Sequence, residues 1–128
     1  MSRIFLSLDE VVEIHQDMIE RYGGSAEIRD MGLLQSAVAM PQASFSGEYL
    51  HTDLFEMAAA YLFHLVQNHP FLDGNKRTGA MSAFVFLKLN GWTLTARGLD
   101  FERIVLSVAQ GKLGKSAVAE FLRRNSRH

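Results

Sequence analysis

The 128-residue chain has no cysteine, which excludes disulfides, thiolate zinc sites and cysteine nucleophiles. It has no excess of either charge, with 13 Lys plus Arg against 14 Asp plus Glu and a formal net charge of -1. The broad basic field that would hold nucleic acid is missing, so direct nucleic-acid binding is not expected of this chain by itself. No apolar run approaches the roughly 20 residues of a membrane span, and no membrane partner is expected. Residues 1–10 reach the acidic pair Asp9-Glu10 after only a few apolar positions. A secretory signal needs a longer apolar stretch and a small-residue cleavage site, so a soluble, cytoplasmic protein is expected. Internal repeats and low-complexity tracts are also missing. What is present is an ordinary globular mixture, 48% hydrophobic and 21% charged, in a length that suits one domain over residues 1–128.

The hydrophobic period is helical almost throughout. Ser7 with Glu10 forms a capping box ahead of Val11, Ile14, Met18 and Tyr22, and Gly23-Gly24 follows. This predicts a helix over 8–22. Asp30 is placed to cap a second helix over 31–40 that Pro41 stops. Residues 42–51 have no clear period and read as a loop or a hairpin flap. Asp53 with Glu56 opens a third helix, 54–67, which must end before Pro70. The residue ahead of a proline is pushed toward extended backbone, and His69 holds that position. The stretch 76–90 is apolar on nearly all sides, which predicts the central helix of the fold. Trp92-Thr93-Leu94-Thr95 reads as a short extended segment. Asp100 is expected to cap a fifth helix to about residue 110, and Ser116 a sixth over 117–124. The predicted architecture is all-α: a compact single domain of about six helices around one central buried helix, with a loop or short hairpin flap at 42–51.

One segment breaks a local rule. In His69-Pro70-Phe71-Leu72-Asp73-Gly74-Asn75-Lys76-Arg77-Thr78, Asn75 has the chemistry of an N-cap, and the turn after it carries two cations. Cations at the positive end of a helix cost about 1 kcal/mol unless an anion lies between them. Gly74 allows a ligand close to the backbone. Together these describe a phosphate socket made of Gly74, Asn75, Lys76 and Arg77. Asp73 offers a hard oxygen ligand of the kind Mg²⁺ takes alongside substrate phosphates. His69 supplies an imidazole able to accept a proton from a hydroxyl nucleophile, while Phe71 is expected to anchor the loop in the core. Base, metal ligand and cationic clamp within nine residues point to phosphoryl or nucleotidyl transfer. The order of residues is not that of a Walker loop.

His69-Pro70-Phe71-Leu72-Asp73-Gly74-Asn75-Lys76-Arg77 resembles the signature of the Fic/Doc superfamily, HPFx(D/E)GN(G/K)R. Lys76 and Thr78 are similar to its Doc (death-on-curing) branch. Tyr22-Gly23-Gly24, Ile28-Arg29-Asp30, Asp53-Leu54-Phe55-Glu56 and Leu87-Lys88-Leu89-Asn90-Gly91 extend the likeness over residues 7–124. The resemblance implies a small all-α toxin of a type II toxin–antitoxin system. Such a toxin transfers the terminal phosphate of ATP, bound with Mg²⁺, to a hydroxyl of a translation elongation factor and so inhibits translation. It further implies a Phd-type antitoxin as partner, with which the pair often regulates its own operator. By that resemblance His69 is the catalytic base, Asp73 the metal ligand, and Gly74, Asn75, Lys76 and Arg77 the nucleotide phosphate site.

Two alternatives stay open. The first is Fic-type AMP transfer, although that branch usually has glycine at the place of Lys76 and arginine at the place of Ala80. The second is a catalytically silent domain that binds antitoxin and acts as corepressor. The self-inhibitory pattern (S/T)xxxE(G/N) of Fic proteins is absent, since Thr52…Glu56 precedes Met57 and Ser116…Glu120 precedes Phe121. Inhibition in trans is the expectation that follows. Arg29-Asp30 is read as a structural ion pair holding helix two. His15, His51, His64 and His128 are assigned no function, since His64 and His69, five apart on a helix, would point away from each other.

Overall fold

A computed structural model describes residues 2–128. Among them six α-helices follow in order: α1 Leu8–Tyr22, α2 Met31–Ala39, α3 Leu54–Asn68, α4 Asn75–Leu89, α5 Gly98–Ala109 and α6 Lys115–Arg124. Two small antiparallel pairs complete the fold, β1 Ser44–Phe45 with β2 Glu48–Tyr49, and β3 Thr93–Leu94 with β4 Ser126–Arg127. The 42–51 segment is therefore a hairpin, its turn made by Ser46 and Gly47 at positive φ. The extended segment expected near Trp92 is the strand β3.

The caps explain most boundaries. Ser7 accepts the Glu10 amide while the Glu10 carboxylate accepts the Ser7 amide, closing the expected box on α1. Asp53 accepts the Glu56 amide at 2.8 Å. The Glu56 carboxylate reaches past it to the amide and hydroxyl of Thr52, so the reciprocal half of that box lies one residue earlier than expected. Helix α2 gives way at Met40 to a 3₁₀ turn containing Pro41, whose fixed φ suits the first position of a new turn.

Two expected caps move. Helix α5 begins at Gly98, with Arg97 as cap and Asp100 inside the first turn, where its carboxylate pairs with Arg97 at 3.1 Å. Helix α6 begins at Lys115, capped by Gly114 instead of Ser116. Lys115 takes the first helical position and sends its ammonium to His51 and His64 at 3.0 and 2.9 Å.

The most enclosed helix is α3, where the stretch 76–90 was expected to be. Nine of its residues are buried, from Phe55 through Val66, and it packs against α2, α4, α5 and α6. Ala58, Ala59 and Ala60 are fully buried, and such small side chains let neighbours approach from several directions. In α4 the buried positions Asn75, Thr78, Gly79, Ser82, Ala83, Phe86 and Leu87 form one face, while Lys76, Arg77, Lys88 and Leu89 are exposed. The two helices cross closely at Gly79, where an added Cβ would stand 2.9 Å from Val66 Cγ2 and 3.1 Å from the Leu62 carbonyl. Tyr61, fully buried on α3, ties the N-terminal segment to this core. Its hydroxyl accepts from the Leu6 amide at 2.8 Å and donates to the Leu6 carbonyl. Burial raises its pKa to about 12, so the hydroxyl keeps its proton to donate.

Candidate functional site

The turn from α3 to α4 is held by a brace that comes from the segment before α2. The amides of Arg29 and Asp30 both donate to the Pro70 carbonyl, at 2.7 and 3.0 Å, and the Leu72 amide donates to Glu27. Ile28 and Phe71 form an antiparallel bridge. The Arg29 guanidinium donates to the carbonyls of His69 at 2.7 Å and Asn68 at 3.0 Å. Arg29 and Asp30 are thus not an ion pair. Asp30 caps α2 by accepting the Leu33 amide, and Arg29 caps the C-terminus of α3, where a cation meets the negative helix end.

That brace supports an unfavourable backbone. His69 is not extended, as a residue before proline is expected to be, but left-handed, with φ 51° and ψ 53°. Such a conformation costs a non-glycine residue on the order of 1–2 kcal/mol. It reverses the chain in one step at the end of α3 and leaves the His69 side chain exposed. Among the described residues no hydrogen-bond partner occupies its imidazole.

The Asn75 expectation also changes. The N-cap of α4 is Gly74, left-handed at φ 80°, and no side chain caps the helix. Asn75 is buried and turned back on the loop, its Oδ1 accepting the Phe71 amide at 3.0 Å and its Nδ2 donating to the Phe71 carbonyl at 2.9 Å. A side chain used in this way cannot cap, so the first-turn amides of α4 remain open to a ligand. Phe71 is fully buried, as the sequence led us to expect.

Under the same loop lies a residue to which the sequence assigned no function. His15 of α1 is 1% exposed, and its ring stacks on Phe71 with centroids 3.6 Å apart and planes 6° from parallel. Its Nε2 lies 2.7 Å from the Asp73 carbonyl. A carbonyl only accepts, so Nε2 must carry the hydrogen. Burial pushes the imidazole below its ordinary pKa, which favours the neutral ring. The available signal was a histidine on the Val11–Met18 apolar stripe of α1, although its partner 58 positions away has no local signature.

All six residues singled out from the sequence, His69, Asp73, Gly74, Asn75, Lys76 and Arg77, line one cleft of about 650 Å³, within the range of small-ligand sites. Val66, Ala80, Phe101, Val105, Leu106 and Ala109 give it an apolar wall, and Glu102 adds the only carboxylate of that wall. One oxygen of Asp73 accepts the Ser25 amide at 3.2 Å. The Arg77 guanidinium rests 4.4 Å from the centre of the Tyr22 ring. The cleft therefore combines an open helix start, two cations, one loop carboxylate and one imidazole beside an apolar wall. This set can hold a polyphosphate and take a proton from a nucleophile next to it.

A family model described as the Fic/DOC family matches residues 5–87. Protein kinase doc of Escherichia phage P1 is 35% identical over 119 residues, covering 93% of each chain. Toxin Doc of Mycolicibacterium smegmatis is 47% identical over 81 residues, which span 63% of this chain and 60% of that protein.

Proposed function

The chain belongs to the Fic/DOC family, and from that premise we propose that it is a toxin acting as a protein phosphotransferase, with Mg-ATP as donor. The single observation that carries this reading is the convergence of His69, Asp73, Lys76 and Arg77 on one cleft at an uncapped helix start. The triphosphate lies along the amides of residues 75–77, with the Lys76 and Arg77 side chains clamping its charge. A hydroxyl of the target protein approaches His69. Its oxygen forms a bond to the terminal phosphorus, the bond from that phosphorus to the bridging oxygen of ADP breaks, and the hydroxyl proton passes to the imidazole. Gly74, without a side chain, lets the phosphates reach the backbone.

The residues present fit a magnesium ion. Among the described residues no group of three or more His, Cys, Asp or Glu side chains is placed to hold a metal alone. Mg²⁺ characteristically binds through one or two carboxylates with phosphates and water completing its shell, and Asp73 supplies such a carboxylate. When bound, the ion neutralises charge on the phosphate oxygens.

The relatives' names, Toxin Doc and Protein kinase doc, support the wider reading. In it the partner is a Phd-type antitoxin, the target a translation elongation factor, and the place of action the cytoplasm. No helix among the described residues is long and apolar enough to cross a membrane.

The test uses ATP labelled at either the α or the γ phosphate, with purified elongation factor as acceptor. Label entering protein from the γ position alone is expected. Entry from the α position assigns AMP transfer instead. Entry from neither, with Mg²⁺ present, leaves a domain whose work is binding its antitoxin.

A further inference from the structure

We infer that His15 is the positioning residue of the phosphate-binding loop, fixing from the middle of α1 the Asp73–Gly74 peptide that faces the cleft. Its consequence for catalysis rests on the phosphotransfer reading above, while its geometry does not. Three features of the loop meet this one side chain. The ring face lies against Phe71, Nε2 reaches the Asp73 carbonyl, and a Cβ at Gly74 would stand 3.4 Å from Nε2. Among the described residues no other donor reaches that carbonyl.

The peptide unit is planar and trans, so its carbonyl and N–H point in opposite directions. Holding the Asp73 carbonyl toward α1 therefore holds the Gly74 amide away from α1. It also sets the height from which the Asp73 carboxylate and the first turn of α4 are presented. His15 can act as a reference because α1 is itself fixed, with Val11 and Met18 buried on either side of it. The side chains of Asn75 and Arg29 brace the two flanks of the loop, at Phe71 and at His69, but neither hydrogen-bonds the 73–74 peptide.

The test compares His15→Phe, which keeps the stack and removes the donor, with His15→Gln, whose carboxamide can donate from nearly the same place. Amide hydrogen exchange over residues 72–76 is read without nucleotide, and Mg-ATP affinity is read separately. In His15→Phe we expect exchange to rise and Mg-ATP affinity to fall, each about tenfold, with His15→Gln recovering to within about threefold of wild type. Unchanged exchange in His15→Phe, or a His15→Gln variant as impaired as His15→Phe, overturns the inference. Altered exchange in a chain whose wild type binds no Mg-ATP supports the positioning role and overturns the phosphotransfer reading. In the wild type, nitrogen NMR provides a check without mutation. The ring must be the Nε2–H tautomer, and an Nδ1–H tautomer overturns the inference even if the variants fail to fold.

Discussion

Two groups of histidines sit on this fold, and they use the same side chain in opposite ways. At the cleft, His15 holds the loop from below and His69 stands free above it. Away from the cleft, His51 and His64 both accept from the Lys115 ammonium and latch the start of α6 onto α3 and the segment before it. The most displaced imidazole belongs to the second group. Burial, then Lys115, then His51 lower the His64 pKa to about 4. A strongly perturbed group is commonly taken as a sign of function, yet here it lies in a packed latch that lines no part of the cleft. The most displaced imidazole is thus not one of the groups that line the cleft.

The sharpest separation of the two groups should come from His69. In the proposed phosphotransfer His69 is the general base, whose loss costs about 10²–10⁴ in rate, so His69→Ala should lose transfer by that factor. The imidazole is exposed and unbonded, and its removal should leave the unfolding temperature nearly unchanged. His69→Gly should lose the same activity and yet gain about 1 kcal/mol of stability, since glycine adopts φ 51° without strain. Transfer assays beside thermal unfolding read both quantities. If His69→Gly were instead less stable than wild type, the left-handed backbone would not be the strain described above.

Gly79 tests the scaffold that the two groups share. Alanine is the better helix former by about 1 kcal/mol, but its Cβ would press on Val66 Cγ2 and on the Leu62 carbonyl. Overpacking costs about 1–3 kcal/mol, so after that gain Gly79→Ala should lower stability by up to about 2 kcal/mol in urea unfolding. It should weaken transfer as well, because α4 carries the cleft at its start. A variant as stable as wild type would mean that α3 and α4 can separate there at little cost.

Much of this was legible from local signals. The capping box at Ser7 and the cap at Asp30 rest on contacts within a few residues of sequence, and of the two readings of 42–51, loop or hairpin flap, the structure has the hairpin. The signature from His69 to Arg77 brought every residue singled out for the site to one cleft. What escaped depended on contacts that spacing does not carry. Asn75 has a good cap's chemistry, but its side chain is taken by Phe71. The brace from Arg29 turned His69 left-handed against its proline. The central place went to α3 because small alanines admit neighbours on several sides, whereas α4 is buried on one face. His15 and Lys115 find their partners 58, 64 and 51 positions away.

The smallest expected effect on transfer lies in the latch, whose effect on stability has a definite sign. In the unfolded chain His64 takes a proton near pH 6.5, while in the fold it stays neutral down to about 4. The unfolded state therefore binds more protons between these values, and stability falls as pH drops from 6.5 toward 4, with no contribution above 6.5. His51 and His15 are displaced in the same direction, each chiefly by burial, and deepen the same acid limb. Because His64 is only half-buried, solvent screening limits its share to about 1–2 kcal/mol. Lys115→Met removes the cation beside it, so the His64 titration should move back toward 6.5 and the acid limb should become shallower. Transfer at neutral pH should stay within about twofold of wild type. Unfolding curves from pH 7 to 4, with histidine NMR titrations, measure each part. A Lys115→Met variant that loses transfer along with its latch would show the two histidine groups to be one coupled system.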